Sequence, residues 1–205
     1  VDINGDKVVN ALDYTAIGNG NPLHVGGFSN NIGYKRFSLN VFLQWSYGND
    51  IYNYLARVNS NPNNINLSRN LLIGAMQYAR PNTKDGQVML DNPETTVPRI
   101  SYGPNGNYTN ITNKWVEDGS FIRLKNISIS YNFPQDIFSG KTLVKDARVS
   151  VGIQNVATIT GYKGFDPEVG AYVGRDASAS NQAIGLDYGR YPLTPIYTFS
   201  VGINF

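Results

Sequence analysis

The stretch Phe37–Tyr47 reads FSLNVFLQWSY and alternates apolar with polar side chains along its whole length. Its odd-numbered positions are all large and apolar, whereas its even-numbered positions are polar apart from Phe42. A period of two places these two sets on opposite sides of an extended chain. The stretch therefore predicts a β-strand with one apolar face and one polar face.

The same alternation recurs in four other segments, at residues 28–34, 126–133, 147–154 and 197–205. The last is the most regular after the first, and its apolar positions are Tyr197, Phe199, Val201, Ile203 and Phe205. Together the five segments predict an all-β chain of antiparallel strands. A single helix is predicted at residues 68–80, where Ser68 is a capping residue and Pro81 follows the end.

The connections between the predicted strands alternate between short and long. Lys35 and Arg36 form a tight hairpin, while the long loops cover residues 50–119 and 160–193. In an up-and-down sheet all short turns then lie on one rim and all long loops on the other, which is typical of transmembrane β-barrels in bacterial outer membranes. A soluble β-sandwich also has alternating strands and stays open as the alternative.

Three features favour the barrel over the sandwich. The apolar face of Phe37–Tyr47 has an aromatic residue at each end, as expected of a strand that crosses two aromatic girdles. The opposite face is small and polar, which suits a wet lumen. The apolar side chains of residues 197–205, ending on Phe205, form the pattern expected of an assembly signal for the barrel-assembly machinery. Since single-chain barrels need about eight strands or more, we expect the C-terminal portion of a larger barrel in contact with outer-membrane lipid.

Composition excludes several classes of function. The chain has 17 Lys+Arg against 15 Asp+Glu, one His and no Cys. The near balance of charges gives no basic surface for nucleic acid. The absence of cysteine excludes a thiol nucleophile and a Cys-based metal site. The carboxylate pair Asp166 and Glu168 could in principle hydrolyse glycosides, but such pairs are common on loops, and we expect no enzyme.

An acidic loop opens the chain and has the spacing of an EF-hand-type cation site. Counting Asp2 as position one, oxygen ligands fall on Asp2, Asn4, Asp6 and Asp13, together with the carbonyl of Val8. Lys7 stands at position six, where such loops carry glycine. We expect Ca²⁺ rather than Mg²⁺, and the alternative is a loop held by its own side-chain to backbone hydrogen bonds.

Tyrosines are concentrated in the two long loops and form the candidate ligand surface. Tyr102, Tyr108 and Tyr188 are the selected positions, because tyrosine offers a stacking face and a hydroxyl to sugars or peptides. The alternative is that these rings pack the loops together.

Four longer stretches make the chain specific enough for a family resemblance. Together they span nearly the whole sequence, and only residues 59–91 depart from the family pattern. The chain resembles the C-terminal end of SusC/RagA-type TonB-dependent outer-membrane transporters of the Bacteroidetes. The stretches are residues 2–22, FLQWSYGNDIYN at 42–53, WVEDGSFIRLKN at 115–126, and GY, GFDPE, DYG and YP between 161 and 192.

The resemblance implies a 22-stranded transmembrane barrel with an N-terminal plug that this chain lacks. It implies import of oligosaccharides or peptides, together with a SusD-like surface lipoprotein and driven by the TonB complex. Residues 1–24 would form an extracellular loop, and residues 25–205 the last five strands. The rival hypothesis is a secreted calcium- and glycan-binding β-sandwich.

Overall fold

The computed structural model describes residues 2–8, 10–67, 70–101, 108, 110–135, 144–170 and 184–205. The chain divides into two compact units. We call residues 21–49, 118–168 and 190–205 the sheet unit, and residues 1–20, 50–117 and 169–189 the loop unit.

Strands dominate the secondary structure. They are β1 (His24–Tyr34), β2 (Phe37–Tyr47), β3 (Asp50–Asn53), β4 (Pro81–Lys84), β5 (Gln87–Leu90), β6 (Val116–Asp118), β7 (Phe121–Asn132), β8 (Asp146–Thr160), β9 (Leu186–Asp187) and β10 (Ile196–Asn204). A short α-helix, α1, covers Tyr54–Asn59, and 3-10 turns cover Ala11–Asp13, Pro62–Leu67, Ile73–Gln77 and Asn113–Trp115. In the described part of the chain, none of the helices combines the length and the apolar character that a transmembrane helix requires.

The sheet unit is built on a five-stranded sheet in the order β1-β2-β7-β8-β10, with every neighbouring pair antiparallel. All five predicted strands are present in it. Their connections are short, long, short and long in chain order, as the sequence predicts, because Lys35 and Arg36 alone join β1 to β2 while residues 48–120 separate β2 from β7.

The register aligns the two faces of all five strands. Directly paired residues share a face, and one transverse row joins Ile32, Leu39, Ile129, Val151 and Phe199. The next row is small and polar or glycine, and consists of Gly33, Ser38, Ser130, Ser150 and Ser200. The alternation read along each strand therefore becomes one apolar face and one polar face of the whole sheet.

The apolar face of this sheet is exposed. Phe199 is 69% exposed, Ile129 48% and Val151 47%, and Tyr197 and Val201 on β10 are also exposed. A β-sandwich buries the corresponding face against a second sheet, so these exposures do not fit the sandwich alternative. Phe121 and Tyr162 are the buried hydrophobic residues of the sheet unit among those the structure describes.

A β-bulge interrupts the alternation of β7. Asn126 pairs with Phe42 but Leu124 pairs with Leu43, so Lys125 is one extra residue on β7. Before the bulge the residues of β7 on the apolar face are the even-numbered Ile122 and Leu124, and after it they are odd-numbered. The sequence pattern therefore predicts a start near residue 126, whereas the strand begins at Phe121.

The loop unit has its own small sheet and core. Its sheet has the order β6-β3-β9, and β4 pairs with β5 in a hairpin. Ile51, Ala75, Tyr108 and Trp115 are its buried hydrophobic residues in the described part. Within the predicted helix at 68–80 the structure places only the 3-10 turn Ile73–Gln77, and residues 68–69 lie outside the described residues.

Candidate functional site

A cleft of about 600 Å³ in the loop unit is the candidate ligand site. Its volume lies within the range typical of small-molecule sites. The lining residues come from three connected parts of the unit. They are Ile17–Gly20, Asp50, Tyr52, Tyr54, Arg57, Ile111, Val116, Ile184–Leu186 and Tyr188.

The end of β3 and the start of α1 place the polar side chains of the cleft. Asn53 caps α1, because its side-chain oxygen accepts the backbone N–H of Ala56 at 2.8 Å. The amide nitrogen of Asn53 donates to Glu117 on β6 at 3.2 Å. Ile51 of β3 is fully buried. These contacts fix the positions of Tyr52 and Tyr54 in the wall of the cleft. They also fix Arg57, which lines the cleft one turn further along α1.

Arg57 lies against two tyrosine rings of the cleft. Its Nη1 donates to the Tyr52 hydroxyl at 3.0 Å, and its guanidinium carbon lies 4.7 Å from the centre of the Tyr54 ring. The Nε–H of Arg57 is buried and has no hydrogen-bond partner among the residues that the structure describes. Sequence reasoning did not select Arg57, since a single arginine in a tyrosine-rich loop has no spacing that marks it.

Asp50 is the acidic residue among the described lining residues, and two hydrogen bonds with the backbone of Asn19 hold it in place. Its Oδ2 accepts the N–H of Asn19 at 2.8 Å, and its own N–H donates to the Asn19 carbonyl at 2.8 Å. Gly185 has a φ of +76°, and a Cβ there would lie 2.7 Å from the Asp50 carbonyl oxygen. The glycine is therefore required where the 184–186 segment crosses Asp50.

The three predicted ligand tyrosines have different positions. Tyr188 lines the cleft, is 44% exposed, and has its ring centre 4.2 Å from that of Tyr54. Tyr108 is only 4% exposed and packs against Trp115, with ring centres 5.9 Å apart. This is the packing role that the sequence left open as the alternative. Tyr102 lies outside the described residues.

A buried ion cluster in the sheet unit joins two of the family-like stretches. Arg123 of β7 is 2% exposed and donates to Asp166 at 2.6 Å and to Glu168 at 2.8 Å. Its Nε donates to Thr158 of β8 at 2.8 Å. Lys125, the residue at the bulge, donates to Glu168 at 3.1 Å. The cluster therefore anchors the segment after β8 on the polar face of the sheet.

The electrostatics of Asp166 are those of a fixed anion. Burial raises its pKa, but the N–H of Glu168, the Arg123 guanidinium and the N–H of Leu193 outweigh burial and leave the pKa below the usual 3.8. A glycosidase acid needs a raised pKa instead. The arrangement therefore supports a structural role for Asp166, and gives no support to the hydrolase hypothesis.

The acidic loop at residues 2–13 is closed by its own hydrogen bonds. Asp2 accepts the N–H groups of Gly5 and Lys7, and Asp13 accepts those of Ile3, Asn4 and Asn10. The bonds from Asn10 and Ile3 hold the pKa of Asp13 below its usual value. Asp6 accepts the N–H of Val8 and the side-chain amide of Asn4.

Within the described residues, no three acidic or histidine side chains converge as a metal centre would require. The arrangement is that of the self-closed loop that the sequence left as the alternative, and a bound Ca²⁺ stays a prediction. Lys7 has a φ of +66°, and so adopts the left-handed backbone that glycine adopts at this position of an EF-hand loop.

The predicted assembly residues lie on one face of the edge strand β10, except Phe205, which directly follows the strand's last residue, Asn204. Tyr197, Phe199, Val201, Ile203 and Phe205 are between 49% and 75% exposed. In the described part of the chain β10 pairs with β8 on one side only, and β1 with β2 on one side only. Their role as an assembly signal stays a prediction.

Comparisons with known proteins point to one group of receptors. The TonB-dependent receptor P3 of Formosa agariphila is 36% identical over 204 residues, which cover 99% of this chain and 18% of that receptor. The TonB-dependent receptor SusC of Bacteroides thetaiotaomicron is 24% identical over 181 residues, which cover 87% of this chain and 15% of SusC. No protein-family model matches the chain.

The fold comparison agrees. The structure of the RagAB peptide importer in its closed-closed state matches with a TM-score of 0.68 and 26% identity, covering 91% of this chain and 18% of that chain. The chain thus spans less than a fifth of the length of the relatives it matches. In sequence and in fold, the chain is a segment of a TonB-dependent receptor of the SusC/RagA type.

Proposed function

We propose that the chain forms five strands at the C-terminal end of a 22-stranded barrel in the bacterial outer membrane. The barrel would import oligosaccharides or peptides in a TonB-dependent manner, together with a SusD-like surface lipoprotein. The observation that carries this proposal is the aligned and exposed apolar face of the five-stranded sheet. Exposed aliphatic and aromatic side chains over a whole sheet face are costly in water but stable in hydrocarbon.

The edges of the sheet support the same proposal. A bilayer tolerates no open sheet edge, because unpaired backbone groups cost several kcal/mol each in hydrocarbon. We therefore place further strands of the intact protein beside β1 and beside β10. In this arrangement the hairpin at Lys35 and Arg36 faces the periplasm, and residues 1–24 and the long loops lie outside the cell.

Replacement of Phe205 by Ser in the intact protein tests the membrane part of the proposal. We expect less transporter in the outer-membrane fraction, because the variant removes an aromatic residue from the predicted assembly signal. Asn204→Ser is the matched control, since Asn204 alternates with the apolar residues of β10. Equal insertion of both variants and the parent protein would count against the assembly role.

The import part has its own measurement. Uptake of labelled oligosaccharides and peptides by cells that express the intact protein should stop when TonB is removed. Purification of the intact protein from outer membranes should recover a surface lipoprotein in equal amounts. Uptake that is unchanged without TonB would overturn the proposed mechanism.

A further inference from the structure

One edge of the Arg57 guanidinium, formed by Nε and Nη2, has no hydrogen-bond acceptor among the described residues of the cleft. Arg57 donates one hydrogen bond to the described residues, from Nη1 to Tyr52, while its Nε–H is buried without a partner. No carboxylate of the described residues forms an ion pair with it. A buried N–H of a charged group without an acceptor is unfavourable, so the arrangement points to an acceptor that a ligand supplies.

The geometry of the edge restricts that acceptor. Nε–H and the neighbouring Nη2–H form a fork that matches two oxygens of one planar group, as in arginine–carboxylate pairs. Arg57 is the single cation among the described lining residues, and Asp50 is an anion. The charges that line the cleft therefore suit a ligand group with one negative charge better than a phosphate, which carries nearly two.

The walls of the cleft suit the rest of such a ligand. Tyr54 and Tyr188 provide aromatic surface from two rings in contact, and Ile17, Ile111 and Val116 add aliphatic surface. A cleft of about 600 Å³ has room for two or three sugar units or a short peptide. We propose that this cleft binds a carboxylate-bearing ligand, with Arg57 as the residue that holds the carboxylate.

The inference rests on the proposed import function and narrows its substrate to acidic oligosaccharides or acidic peptides. Two pairs of probes separate these sources of carboxylate. Trigalacturonate is compared with its methyl ester, and acetyl-Ala-Glu-Ala-amide is compared with acetyl-Ala-Gln-Ala-amide. Each probe is titrated calorimetrically into the purified intact transporter.

The expected result is that the acidic member of one pair binds more tightly than its neutral partner by about tenfold or more, as for hydrogen bonds to charged groups. Arg57→Gln should remove this preference. Arg57→Lys should retain only part of it, because lysine keeps the charge but lacks the fork. Arg80→Gln should retain it fully, since Arg80 also lies against a tyrosine, Tyr78, but does not line the cleft.

Two results would overturn the inference. One is that neither acidic probe binds more tightly than its neutral partner to the parent protein. The other is that the preference survives in Arg57→Gln. Outer-membrane insertion of each variant is measured in parallel, since a parent protein that fails to insert would contradict the proposed function itself, whereas normal insertion without acid preference contradicts only this inference.

Discussion

At the scale of single residues, Arg123 is the side chain whose loss we expect to destabilise the sheet unit most. Arg123→Ala leaves the carboxylate of Asp166 buried without its cation, and breaking a buried pair in this way costs about 3–5 kcal/mol. The urea midpoint of the intact transporter should fall, and the segment at 161–168 should become sensitive to protease. Lys125→Ala is the control, because its partly exposed pair with Glu168 contributes only about 0–1 kcal/mol. An equal effect of the two variants would contradict this account.

The lowered pKa of Asp166 predicts that the stability of the folded protein depends on pH. Its pKa in the folded protein is lower than 3.8, so the folded state binds the proton less tightly than the unfolded state does. The stability that ionised Asp166 contributes is therefore fully present above pH 3.8 and is lost as the pH falls through the pKa of Asp166 in the folded protein. Unfolding midpoints measured against pH should fall less steeply below pH 3.8 in Asp166→Asn than in the parent protein. Curves of equal steepness would show that this carboxylate is not the titrating group.

Substitutions at Asp6 and Lys7 test the prediction that the acidic loop at residues 2–13 binds a cation. Calorimetric titration of Ca²⁺ into the intact transporter should show binding that Asp6→Ala abolishes. Lys7→Gly should bind Ca²⁺ more tightly, because the change removes a positive charge beside the cation. It also relieves roughly 1–2 kcal/mol of left-handed backbone strain. Lys35→Gly is the matched control, since Lys35 has a φ of +53° in the β1–β2 turn and lies outside residues 2–13. Absence of Ca²⁺ binding by the parent protein would leave the loop closed by its own hydrogen bonds.

At the scale of elements, the bulge on β7 sets which face Arg123 occupies. Deletion of Lys125 removes the extra residue and leaves Leu124 opposite Leu43 and Asn126 opposite Phe42, so Arg123 keeps its place on the polar face. We therefore expect the deletion variant to reach the outer membrane at nearly the parent level, measured by quantitative immunoblotting. Lys125→Ala keeps the bulge and should insert normally. A large loss of the deletion variant from the outer membrane would mean that Lys125 does more than add one extra residue to β7.

The strands show how far the sequence alone predicts the fold. Phe37–Tyr47 was predicted with the bounds that the structure gives, because its alternation is uninterrupted. β7 was predicted too short because the bulge at Lys125 breaks the period that the prediction uses, and β8 was predicted only as far as Gln154, where its pairing with β7 steps on to Ala157. Residues 81–90 form a hairpin through Asp85 and Gly86, both with positive φ, and this Asp-Gly turn signal was not used in the prediction.

The candidate site was less predictable than the strands. Tyr188 was found by composition, but its contact with Tyr54 joins residues far apart in sequence. The link between Arg123 and Asp166 likewise depends on the sheet register and on the path of the chain after β8. Neither partner can be read from local periodicity, because both contacts arise only after the strands have paired.

At the scale of the whole molecule, the central claim concerns which solvent each face of the sheet meets. The chain has no cysteine, so single spin labels can be attached at Phe199→Cys and at Ser200→Cys of a cysteine-free intact transporter in lipid vesicles. These neighbouring residues occupy opposite faces of β10. We predict that the label at 199 is accessible to oxygen dissolved in the bilayer, and that the label at 200 is accessible to a water-soluble nickel complex. Equal access of the nickel complex to both labels, or the reverse pattern, would contradict the account.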